Sequence, residues 1–92
     1  MTKKRNVPEL DRLVAGLAAL AQAGHVAPCV GRPEWTSDAS DDRAAAAEGC
    51  GWCPMGGPCL AAGAASRSVW GVWGGCDLSD PATRRAVQEA EL

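Results

Sequence analysis

Phenylalanine and tyrosine are absent from these 92 residues, and histidine occurs once. The large apolar side chains are a few leucines and valines and four tryptophans, and much of the remaining apolar content is alanine. Alanine and glycine bury little area, so hydrophobic transfer alone gives a thin core. A chain this short holds one domain at most, and such domains are commonly fastened by disulfides, a metal or a partner. No apolar run is long enough to span a bilayer. Positive charge is not in excess either: nine Lys and Arg against eleven Asp and Glu leave a net charge of −2. That balance exerts no global attraction on nucleic acid or an anionic membrane. A short basic start, Lys3 to Arg5, stands apart from an acidic middle at Glu34, Asp38, Asp41 and Asp42. The chain also has no Ser–His–Asp set, phosphate-binding loop or carboxylate pair, so no enzymatic turnover and no small-molecule substrate are expected.

Cysteine, in contrast, is plentiful: five residues, three of them within the ten-residue stretch CGWCPMGGPC at 50–59. An odd count argues against a closed framework of disulfides. The N-terminus imitates an export signal, with Lys3 to Arg5 as its charged start, Leu13 to Ala21 as its apolar stretch and Ala21-Gln22-Ala23 as a cleavage site. Glu9, Asp11 and Arg12 interrupt that pattern, and the apolar residues keep a helical period across them. The expectation is a cytoplasmic chain, in which clustered cysteines signal metal or redox chemistry.

Residues 1–6 are polar and read as a flexible basic terminus, followed by a single domain over 7–92. Val7, Leu10, Leu13, Val14, Leu17 and Leu20 recur at three- and four-residue spacing and predict a helix, with Pro8 in its first turn and Gly24 as its stop. The Gly- and Pro-rich stretch around Cys29 reads as a loop. A second helix is expected from a cap at Ser40 or a neighbouring Asp through the alanines to Glu48, with Gly49 ending it. A short third helix falls in PCLAAGAASR, weakened by Gly63, and a tight turn in GVWGG. A last helix spans 80–91, with Asp80 as cap and Pro81 at its first position. No segment alternates like a strand, so the fold class is all-α, with about four short helices.

Cys50 and Cys53 are spaced so that both sulfurs can face one centre, and the Pro-Met-Gly-Gly-Pro link lets Cys59 bend back to it. Cys29, on its separate loop, can supply a fourth thiolate. Four thiolates suit either Zn²⁺ or an iron–sulfur cluster. A zinc ribbon expects two C-x2-C knuckles and only one is present, which tilts the choice toward the larger cluster. Buried free cysteines are the bland alternative, and a thioredoxin-like dithiol lacks its βαβ surroundings. Cys76 reads as a bystander and His25 as a solvated side chain.

Pro28-Cys29, Trp35, Cys50-x2-Cys53-Pro54, Cys59 and Gly71-Val72-Trp73-Gly74-Gly75, in this order and spacing, resemble the WhiB-like proteins of actinobacteria and their phages. The resemblance covers 29–76, about half of the chain. It implies a small helical domain organised around a [4Fe–4S] cluster on Cys29, Cys50, Cys53 and Cys59; the alternative that the residues themselves leave open is a structural zinc-binding module for protein interaction on the same four thiols. It implies a redox- or gas-responsive regulator of transcription whose freed thiols can pair as disulfides when the cluster is lost. Its implied partner is the C-terminal region of the principal sigma factor, and through it RNA polymerase, met near Gly71, Val72, Trp73, Gly74 and Gly75. Trp73 is then an interface anchor, a cover for the cluster, or both. Core packing is the expectation for Trp35, Trp52 and Trp70. Many relatives carry a basic tail that touches promoter DNA. Here the tail offers only Arg84 and Arg85, too few phosphate contacts for tight binding alone.

Overall fold

The computed structural model describes residues 7–90, so the basic start at 1–6 and the last residues of the expected 80–91 helix lie outside the described residues. Helix α1 (Pro8–Gln22) carries Pro8 in its first turn. It ends where Gly24 takes a positive φ of 87°. The N–H groups of Gly24 and His25 close that end on the carbonyls of Ala21 and Leu20. Leu13 is the buried centre of its stripe, whereas Val14 is 64% exposed and lies off it. Helix α2 (Ser40–Gly49) follows a single 3-10 turn at Pro33–Thr36. A second such turn, Cys50–Trp52, leads toward helix α3 (Gly56–Ala65). Helix α4 (Pro81–Ala90) is capped as expected: Asp80 Oδ2 accepts from the Thr83 backbone N–H at 3.0 Å and its hydroxyl at 2.7 Å.

Two expectations are corrected. Ser40 does not cap α2; it is the first helical residue, and Ala39 precedes it without a side-chain cap. Ser37 organises that entry instead, its hydroxyl accepting from the Ala39 N–H and donating to Asp42. Nor is the fold purely α. Strand β1 (Val72–Trp73) pairs antiparallel with strand β2 (Cys76–Asp77), Val72 opposite Asp77 and Trp73 opposite Cys76. The loop is Gly74-Gly75, with φ of 57° and 89°. A two-residue hairpin turn of type I′ needs positive φ at both positions, and Gly-Gly supplies it without a Cβ penalty.

Helix α1 lies along α3, while α2 packs on the Pro33–Thr36 turn and on both strands, so the hairpin sits between α2 and α3. The core is thin, as the composition predicts. Trp35, Ala46 and Val72 form its centre, with Ala47 and Cys50 against them. Leu78 is the only large side chain among the described residues that is fully buried. The hairpin rests on α3 at Gly63, where an added Cβ would stand 2.8 Å from Trp73 Cγ and 3.0 Å from Leu78 Cδ1. Gly63→Ala is therefore expected to destabilise by about 1–3 kcal/mol through overpacking. That cost outweighs the roughly 1 kcal/mol of helix propensity gained. A lower denaturation midpoint measures it.

The opposite side of the hairpin is held by charge. Arg43, 8% exposed, donates from Nε to Asp77 Oδ2 at 3.0 Å and from Nη1 to the Ser37 carbonyl at 2.6 Å. Its guanidinium lies 4.6 Å from the centroid of the Trp70 ring, a cation–π contact. Burial works to raise the Asp77 carboxyl, but hydrogen bonds from Arg43 and Ser79 outweigh it and hold the group below the ordinary carboxylate value. The stability this supplies is complete above the unfolded value of about 3.9. It is lost as pH falls through the lower folded value. Melting curves taken between neutral pH and pH ~3 should therefore show a steeper acid loss for the wild type than for Asp77→Asn, which has no such proton to take up.

Candidate metal centre

Four backbone devices fix the four expected ligands. Cys29 lies in a turn after α1, where the Arg32 N–H bonds the Cys29 carbonyl and the Val30 N–H bonds Ala27. Cys50 opens the 3-10 turn at the end of α2, and the Cys53 N–H returns to its carbonyl at 3.0 Å. Cys53 itself is extended, which turns the chain toward α3. Cys59 lies in the first turn of α3, its N–H bonded to the Met55 carbonyl at 2.8 Å.

All four thiols line one cavity of about 360 Å³. Leu13, Leu17 and Met55 form its apolar wall on the α1 side, and Trp35, Trp70, Gly71, Val72, Trp73 and Gly74 enclose it from the hairpin side. The long first helix thus lines one side of the thiol cavity. Cys29 is the most open of the four, the other three being half-buried. Burial pushes the Cys59 thiol up to about 11; the Gly74 backbone N–H acts against that shift, and Cys50, Cys29 and Cys53 add to it. Burial also raises Cys29, opposed by its own backbone hydrogen bond and reinforced by Cys53 and Cys50. Cys29 and Cys59 therefore feel the neighbouring thiols. A cationic centre among them would reverse that balance and favour thiolates.

The donor set is all sulfur, which suits Zn²⁺ and iron–sulfur clusters. Among the described residues no group of three Cys, His, Asp or Glu side chains is arranged as a ready single-ion site, and the shared cavity of the four thiols does not by itself select between the two.

The remaining sequence candidates fall elsewhere. Cys76, in β2, and Gly75 do not line the thiol cavity. His25 faces a separate groove of about 600 Å³ that contains none of the thiols. Trp52 is corrected: it is 87% exposed and borders that second groove, so it neither packs in the core nor shields the thiols. Trp35 does pack in the core, whereas Trp70 is corrected as well: it is 43% exposed, because its ring stacks on the Arg43 guanidinium instead of entering the core. Trp73 donates its indole N–H to the Trp70 carbonyl at 3.0 Å, and Trp70 donates to Thr36 at 3.0 Å, tying the cavity wall to the Pro33–Thr36 turn. Arg84 bonds the Leu78 carbonyl at 2.8 Å and the Val69 carbonyl at 3.3 Å, so its guanidinium serves the loop before α4; Arg85 is exposed. Arg43 was not among the sequence candidates. An arginine followed by AAAA reads as a solvated helix residue, and no local signal announces a partner 34 positions away.

A family model described as transcription factor WhiB matches residues 25–87, well over half of the chain and every residue of the thiol set. The chain belongs to the WhiB family. Membership makes it one of a family of transcription factors. No curated protein and no solved structure gives a match. The WhiB match takes in the hairpin and most of α4 but leaves α1 outside it. In this WhiB protein the helix that walls the apolar side of the cavity therefore lies outside the matched residues. No helix among the described residues is long and apolar enough to cross a membrane.

Proposed function

We propose that this WhiB protein is an iron–sulfur regulator of transcription. Cys29, Cys50, Cys53 and Cys59 would hold a [4Fe–4S] cluster, and the Gly71–Gly75 turn would meet the C-terminal region of the principal sigma factor in the cytoplasm. The carrying observation is that the four thiols share one cavity whose outer wall is the glycine-flanked Trp73 turn. When bound, such a cluster supplies a redox-active, oxidant-labile centre. The chain's own residues do the rest. The thiols ligate, α1 and the tryptophans limit water, and the turn displays a rigid aromatic edge next to the centre. Partner contact and cluster state are coupled through that shared wall, which is the basis for a redox or gas response. Direct DNA contact is at most weak, or is made through RNA polymerase, since Arg84 is engaged in the fold and Arg85 alone neutralises little phosphate.

Titration of the anaerobic protein with the isolated sigma C-terminal region tests this. Binding is expected, and Trp73→Ala at matched iron content should weaken it by about 30-fold or more, the ~2 kcal/mol of an interface hot spot. A protein with full iron and sulfide that does not bind the sigma region contradicts the proposed partner.

A further inference from the structure

The indole N–H of Trp35 points at a sulfur. Nε1 donates to Cys50 Sγ at 3.3 Å, and Trp35 is only 9% exposed. A tryptophan N–H is a donor with no acceptor capacity, and a buried donor requires a partner. Among the described residues the Cys50 sulfur is the partner it has. The geometry around it is tight: an added Cβ on Gly49 would stand 3.1 Å from the ring, and Ala46 and Val72 pack with it. The ring is therefore held, and its N–H is aimed by packing.

We propose that Trp35 is a positioning and tuning residue of the metal centre, acting through its hydrogen bond to the Cys50 sulfur; this rests on the cluster proposed above. A hydrogen bond to a ligand sulfur stabilises the more negative, reduced state more than the oxidised one, because the acceptor then carries more charge. The couple concerned is a one-electron change supplied by an external reductant, with no bond formed or broken. Trp35 thus makes the centre easier to reduce. Trp70 and Trp73 have no such role, since their indole N–H groups are committed to the carbonyls of Thr36 and Trp70.

The test is the midpoint potential of wild type and Trp35→Phe, both purified anaerobically, assayed for iron and sulfide, and titrated with dithionite through mediators. Phenylalanine keeps an aromatic ring in the core and removes the donor. The expected result is a more negative potential for Trp35→Phe. The ratio of reduced to oxidised centre should fall about tenfold at fixed potential, about 59 mV for a one-electron couple. An unchanged potential in a variant with full iron and sulfide overturns the role of Trp35 while leaving the cluster in place. No iron and sulfide in the wild type overturns the cluster and this role together. Where Trp35→Phe does not assemble, pulsed EPR of the reduced wild type carrying ¹⁵N-indole tryptophan decides: a resolved ¹⁵N coupling is expected, and its absence overturns the hydrogen bond. A purely structural Trp35 would move the melting temperature but neither the potential nor the coupling.

Discussion

Cys59→Ser yields a colourless protein that no longer melts cooperatively. The thiol of Cys59 is fixed by the first turn of α3 and faces the other three cysteines across one cavity. The apolar core beside that cavity is Trp35, Ala46 and Val72, with little else of size buried. A domain with so little buried area would draw folding free energy from the proposed metal centre. Iron content should fall by more than ~10-fold, since loss even of an outer partner to a metal ligand costs 10–100-fold in affinity. Cys29→Ser, Cys50→Ser and Cys53→Ser should behave alike. Cys76→Ser is the control: Cys76 lies outside the cavity, and its replacement should leave both colour and melting unchanged. Iron and sulfide assays with far-ultraviolet circular dichroism on the five variants check this. A Cys76→Ser protein as damaged as Cys59→Ser would mean that the ligand set is wrongly drawn.

Arg43→Met destabilises by about 3–5 kcal/mol, a large share of the roughly 5–15 kcal/mol that holds a domain together. The guanidinium carries three contacts at once: the Asp77 carboxylate, the Ser37 carbonyl and the Trp70 face. Methionine fills the space but leaves Asp77 without its cation and the Ser37 carbonyl without its donor. Arg43→Lys should recover only part of the loss, because a single ammonium cannot reproduce the fork and the stacking together. Urea denaturation under nitrogen measures both variants. Because Asp77 belongs to β2 and Trp70 lines the thiol cavity, Arg43→Met should also hasten loss of the visible band on exposure to air. A double-mutant cycle of Arg43→Met with Asp77→Asn that shows no coupling would remove the ion pair from this explanation.

These effects separate what the sequence makes legible from what it hides. The first and last helices are local in origin. A repeating apolar stripe, Pro8, Gly24 and the Asp80-Pro81 start are read within a few residues of where they act, and the structure has them. That the four cysteines line one cavity follows from the bend between Cys53 and Cys59 and from the separate loop of Cys29, whereas their role as ligands is the proposal. The hairpin is hidden in the sequence because two-residue strands have no room to alternate. Its signal was the Gly74-Gly75 pair itself, which suits the turn that joins paired strands. The exposure of Trp52 follows from the way the Cys50–Trp52 turn faces, and no periodicity announces that. Arg43 and the Trp35–Cys50 contact were hidden for a different reason. Their partners are 34 and 15 positions away, so only the packed fold brings them together.

The most direct measurement is the visible absorption of the anaerobically purified protein, with iron, sulfide and zinc determined on the same sample. A brown protein with near-equal iron and sulfide is the expected result. A colourless protein with stoichiometric zinc, still colourless after anaerobic reconstitution with iron and sulfide, would contradict the iron–sulfur centre and with it the redox function drawn from the four cysteines.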